Sequence, residues 1–174
     1  MGNSLAYIIN VEFIANQGHE GGALYAYRNR LFVDQSNFIS NKAHFGGGGI
    51  KGFMPDKIYV TNSLFDKNDA IWGSAFNGRG LILSRNKVGF FNTKISNSRN
   101  WMNRYSKNPV GSSLHLNNVM FDAQNLYVED TGVISNCLIY KNEILNVEAE
   151  TLYITGLFDL GGNVGSDDSC GFKQ

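Results

Sequence analysis

The chain has 174 residues, enough for one domain with a buried core, and its 15 basic and 15 acidic residues cancel. That balance leaves no bulk field to draw nucleic acid or an anionic membrane, and no apolar run is long enough to insert across a bilayer. The 20 glycines, 2 prolines and 13% aromatic residues favour many short strands broken by turns over helices.

Met1–Leu5 lacks the basic head and apolar stretch of a signal peptide, so the sequence is expected to be a fragment of a longer exported protein. Tyr7-Ile8-Ile9 is a short β-favouring segment. Phe13-Ile14-Ala15-Asn16 follows, and then Gly21-Gly22-Ala23-Leu24. The same three elements return as Phe32-Val33, Phe38-Ile39-Ser40-Asn41 and Gly46-Gly47-Gly48-Gly49-Ile50. They return again as Ile58-Tyr59-Val60, Phe65-Asp66-Lys67-Asn68 and Gly73-Ser74-Ala75-Phe76. The phenylalanines lie 25 and 27 residues apart, and each glycine block opens 8 residues after its phenylalanine. Ile8, Val33 and Val60 each stand 5 residues before it. A unit this short has no room for a helix between its strands. It suits one coil of a three-faced β-solenoid.

Beyond Phe76 the pattern loosens. Ile95 takes the phenylalanine place and Ser98 that of asparagine. Residues 100–110 read as a loop insertion before Gly111-Ser112-Ser113-Leu114. Met120 to Val128 has strand character but no clean copy, and Ile139-Tyr140-Lys141-Asn142 restores the motif with Ile134 ahead of it. The expectation is an all-β fold: residues 1–174 form a single parallel β-helix domain of roughly six coils, about 30 Å long.

In such a fold each position stacks on its equivalent one coil away. Phe13, Phe38 and Phe65 should form an aromatic column in the core. Asn16, Asn41 and Asn68 should form an amide ladder at a corner, where asparagine also tolerates left-handed backbone. The glycines permit positive φ at the next turn.

Phe-x-x-Asn followed by Gly-Gly-Ala-Leu resembles the repeats of chlamydial polymorphic outer membrane proteins and related autotransporter passengers. Gly21-Gly22-Ala23-Leu24 matches directly; Gly47-Gly48-Gly49-Ile50 and Gly73-Ser74-Ala75-Phe76 are degenerate copies. The resemblance implies a right-handed parallel β-helix displayed outside a bacterial cell, often for adhesion. The tail from Gly161 to Cys170 is similar to closing segments of other secreted β-helix proteins.

Polysaccharide lyases and hydrolases on this scaffold need convergent carboxylates, or carboxylates around calcium with a basic partner. Asp34, Asp66, Asp69 and Asp122 do not all share one repeat phase, and Asp167-Asp168 lies in the tail, so no catalytic residue is assigned. His19 and His44 are in phase, but Ile71 fills the third place, so no metal site and no cofactor is expected. Cys137 and Cys170 are open to two readings: a disulfide in an oxidising compartment, or one buried and one tail thiol.

The aromatic residues are the better lead. Phe45 and Trp72 share the place just before the glycine block, and Trp101, Arg104, Tyr105 and Lys107 fall in the expected insertion. Aligned exposed rings stack on sugars or anchor a protein. The expected function is a non-enzymatic adhesin, scaffold or glycan- or protein-binding stalk. Its partners would be a polysaccharide or a protein on a host or neighbouring cell. The competing expectations are a polysaccharide-processing enzyme and a filament subunit that associates end to end.

Overall fold

The computed structural model describes residues 4–54, 57–80, 87–96, 100–105, 113–122, 125–128, 132–135, 137–140, 144–146, 157–159 and 164–165. Ser98, residues 106–110 of the expected insertion (Lys107 among them), Asn142, Asp167, Asp168 and Cys170 lie outside them. Among the described residues every regular element is a strand.

The first coil carries β1 (Leu5–Ile9), β2 (Glu12–Ile14), β3 (Gln17–Glu20) and β4 (Leu24–Tyr27). The second repeats it as β5 (Arg30–Asp34), β6 (Asn37–Ile39), β7 (Lys42–Gly46) and β8 (Ile50–Phe53). The third has β9 (Lys57–Thr61), β10 (Leu64–Asp66) and β11 (Phe76–Gly80), and the fourth has β12 (Lys87–Phe91), β13 (Lys94–Ser96) and β14 (Asn100–Tyr105). Then come β15 (Ser113–Asn117), β16 (Met120–Asp122) and β17 (Asn125–Val128), followed by β18 (Gly132–Ser135), β19 (Leu138–Tyr140) and β20 (Ile144–Asn146). The strands β21 (Leu157–Asp159) and β22 (Val164–Gly165) close the series.

Like strands stack on like. The order β1-β5-β9-β12-β15-β18-β21 makes one sheet, β2-β6-β10-β13-β16-β19-β22 a second, and β4-β8-β11-β14-β17-β20 a third; β3 and β7 add a short fourth. Every pairing is parallel. This is the parallel β-helix expected from the repeat, with the right-handed coil that twisted parallel strands favour. The described residues give seven strands in the first sheet rather than roughly six coils.

Coil length varies, and the variation explains where the motif fades. Stacked turn residues are separated by 25, 27, 30, 26 and then 18 residues along the chain. The short coil, Leu114 to Gly132, passes from the second sheet to the third without room for an asparagine turn and glycine arc. That is why Met120–Val128 shows no clean copy. The stretch expected as an insertion begins as strand: β14 pairs with β11 on one side and β17 on the other, with Arg79 opposite Arg104 and Trp101 opposite Leu126.

Alternation sends one set of side chains inward. Leu31, Val33, Phe38, Ile50, Ile58, Val60, Phe65, Phe76, Val88, Phe90 and Ile95 fill the core. Phe13, Phe38 and Phe65 stack as expected, with centroids 4.8 and 4.5 Å apart and planes within 10° and 7°. Such contacts add about 0.5–1.5 kcal/mol each beyond burial. Ile95 continues the column on Phe65, and Phe121 takes the next register place.

The corners are held by ladders. Asn16 donates from both its main-chain and side-chain nitrogens to Asn41 Oδ1, at 3.0 and 2.9 Å. Asn41 donates in the same way to Asn68 Oδ1, both at 3.0 Å, and its Nδ2 also donates to the Phe13 carbonyl at 2.8 Å. Left-handed backbone, however, falls on the residue before each ladder asparagine: Ala15, Ser40 and Lys67 have φ of 53°, 55° and 54°. The asparagines thus earn their place by pairing, not by backbone tolerance.

A second corner was not read from the sequence. Asn10, Gln35, Asn62, Asn92 and Asn118 all have positive φ there. On its outside Asn118 donates to Asn92 at 2.9 Å, Asn92 to Asn62 at 3.2 Å, and Asn62 to Asp34 at 2.8 Å. The residue after each points inward as a hydroxyl, aliphatic or thiol group: Val11, Ser36, Ser63, Thr93, Val119 and, one coil on, Cys137. Ser36 and Ser63 donate to the carbonyls two residues back and accept main-chain N–H groups from the coil before.

Gly21, Gly47 and Gly73 have positive φ and stand on one another at the third corner. The second coil's equivalent is therefore Gly47, 9 residues after Phe38, not Gly46. The additional residue is taken up where β3 and β7 fall out of step between Gly18 and Glu20. Gly48 is needed for close approach, because a Cβ there would meet the Ser74 and Asp69 carbonyl oxygens at 2.4 and 2.6 Å.

Candidate functional site

The arc formed by β3, β7 and the residues bridged to them, Asp69 and Trp72, turns sharply at the glycine corner into the third sheet. Its outer surface carries a ridge of rings. His19 and His44 stack at 5.7 Å, and the ring of Phe45 meets both edge-on at 4.6 Å. Phe45 thus bridges the two in-phase histidines.

Phe45 and Trp72 do not share one register place. The out-of-step step puts His44 and Phe45 opposite His19, and Trp72 pairs with Gly46. They are still adjacent, since the Trp72 N–H donates to the Phe45 carbonyl at 2.8 Å. Trp72 is 52% exposed, Ile71 51% and Phe45 42%. Among the described residues the ring contacts of the arc join His19, His44 and Phe45 and do not include Trp72.

The other expected binding residues stand elsewhere. Trp101, Arg104 and Tyr105 are on β14 in the third sheet. Asn77 pairs with Met102, so Trp101 stands in register with Phe76. Arg104 is in register with Tyr27, Phe53 and Arg79, and Tyr105 lies opposite Gly80. They do not join Phe45 and Trp72 on the arc.

Inside the corner between arc and third sheet is a polar group that sequence reasoning missed. Tyr25, Lys51 and Asn77 are successive register partners. Lys51 and Asn77 are each only 4% exposed. Lys51 Nζ donates to Asn77 Oδ1 at 2.6 Å and lies 3.6 Å from Glu20 Oε1. A side chain at Gly46 would crowd the Asn77 carboxamide, whose Cγ is 3.3 Å from the place of its Cβ. Partial burial, and then the charge of Glu20, push the Tyr25 phenol above its ordinary value.

A second aromatic array runs along the outer face of the first sheet. Tyr7 stacks on Phe32 at 5.3 Å, Phe32 meets Tyr59 at 5.5 Å, and Tyr59 meets Phe91 at 6.3 Å. The first pair turns ring faces toward each other, so the array stiffens the sheet more than it offers faces to solvent. A period of one aromatic per coil, one residue before Ile8, Val33 and Val60, was the available signal.

Comparison with known proteins finds no matching family, no similar curated protein and no similar solved structure.

Proposed function

We propose that this chain is a non-enzymatic β-helix stalk, secreted or displayed on a bacterial cell surface, that binds a glycan or a protein partner through the arc ridge. The observation that carries this reading is the exposed Trp72 indole beside Ile71 and Phe45. Indole faces stack on sugar rings and serve as interface anchors, and a rigid array of strands holds them at little entropic cost. An exposed apolar cluster of this kind is costly to leave in water without use.

The test is a glycan array together with a surface-protein binding screen, run on the native chain and on Trp72→Ala. Binding that is lost in the variant, with an unchanged melting profile, supports the ridge. Equal binding by both proteins places the activity elsewhere.

A further inference from the structure

We propose that Lys51 and Asn77 join in an intramolecular isopeptide bond, with Glu20 carrying the proton. The two residues are direct register partners on β8 and β11, and both are almost wholly buried. Lys51 Nζ donates to Asn77 Oδ1 at 2.6 Å, which brings the amine against the carboxamide it would attack. Glu20 Oε1, 3.6 Å from the same nitrogen, is the acid–base group of the set. The backbone of Gly46 closes over the carboxamide and Gly73 lies beside Asn77 Cβ, so the acceptor is held still.

Burial decides between this and a plain ion pair. Lys42 and Asp69 form an ordinary pair with both side chains well exposed, and both keep their hydration. The Lys51 side chain is 5% exposed. Its Nζ lies 3.6 Å from Glu20, whose own side chain is 35% exposed, so Glu20 is placed to take the amine's proton and leave a neutral nucleophile. Fixed proximity then stands in for the activation that an amide otherwise needs.

The step balances within the chain. The Nζ lone pair attacks Asn77 Cγ, and a proton passes from Nζ to the Glu20 carboxylate. Glu20 delivers that proton to Nδ2 as the Cγ–Nδ2 bond breaks, and ammonia leaves. The product is an amide between Lys51 Nζ and Asn77 Cγ, and Glu20 returns to its starting state. No oxidant, reductant or co-reactant is consumed. The bond straps the second coil to the third across residues 26 apart in sequence, and it uses none of the ridge rings.

Intact mass and a tryptic map of the folded native chain test this. The expected mass is that of the sequence less one ammonia, with the Lys51 peptide joined to the Asn77 peptide and no cleavage after Lys51. Glu20→Gln is expected at full mass with a native circular dichroism spectrum. A native chain that is folded but of full mass overturns the proposal. So does loss of ammonia with trypsin still cutting after Lys51, since that marks ring closure of Asn77 onto Gly78. A Glu20→Gln chain linked as fully as the native one contradicts the role given to Glu20.

Discussion

The ring of Phe91 fills the place of the side chain that Gly89 lacks. Gly89 lies between Tyr59 and His115 in the outer register of the first sheet. A Cβ there would meet Phe91 Cε2 at 2.6 Å and Tyr59 Cδ1 at 2.8 Å. The aromatic array thus crosses a glycine by borrowing a ring from two residues along the same strand, as aromatic side chains cover strand glycines elsewhere.

Gly89→Ala should therefore expel the Phe91 ring and break the array. The expected loss is about 1–3 kcal/mol, the usual range for overpacking. Urea unfolding followed by tyrosine fluorescence measures it. A variant as stable as the native chain would show that Phe91 has an equally good place elsewhere.

The inner asparagine ladder should be unequal along its length. Asn41 is buried and bonded on both sides, so Asn41→Ala strands the Phe13 carbonyl and takes a donor from the buried Asn68 Oδ1. At about 1–3 kcal/mol for a buried group left unsatisfied, the loss should be about 2–3 kcal/mol. Asn16 is exposed at the end of the ladder, and Asn16→Ala should cost about 1 kcal/mol. Paired denaturation curves test the ratio, and equal costs would count against a stacked ladder.

The Cys137 side chain is buried, and its Sγ donates to the Ser135 carbonyl at 3.2 Å. Burial pushes its pKa up, outweighing the opposing hydrogen bonds from the backbone. A raised pKa favours the neutral thiol in the folded state. Its contribution is fully present below the ordinary thiol value and is lost as pH rises through the folded value. Stability should fall on the alkaline side, and Cys137→Ser, which keeps a donor toward Ser135, should flatten that fall. An unchanged alkaline limb in the variant would assign it to other groups.

Trp72→Ala and Phe45→Ala should differ in kind. Trp72 is 52% exposed, so its loss should change stability by less than about 0.5 kcal/mol while removing the proposed ligand binding. Phe45 packs against two histidines, and its loss should lower stability measurably as well. Thermal melts beside binding assays tell them apart. Binding retained by both variants would move the site off the arc.

The architecture was legible because stacking forces like residues onto like positions. Phe13, Phe38 and Phe65 announced the core column, and Gly21 and Gly73 the tight corner. The outer ladder of Asn62, Asn92 and Asn118 was equally regular, but single asparagines between strands look like ordinary turn residues until their neighbours are known. The phase of Phe45 slipped because an extra residue within the arc cannot be seen in spacing alone. Lys51 gave no signal, since its burial depends on the arc folding against the third sheet, a relation between residues of different coils. The strand at 100–105 read as a loop because its register is supplied by β11 and β17, not by its own composition.

The stacking of coils in register is tested most directly by cysteine pairs on the second sheet. Ile14 and Ile39 are register partners on its outer side. Parallel neighbours lie about 4.8 Å apart, within the Cα range a disulfide accepts. Ile14→Cys with Ile39→Cys should cross-link rapidly under mild oxidation, identified by peptide mapping. Ile14→Cys with Asp66→Cys, two coils apart at roughly twice that distance, should not. Failure of the first pair, or equal linking by the second, would contradict the solenoid.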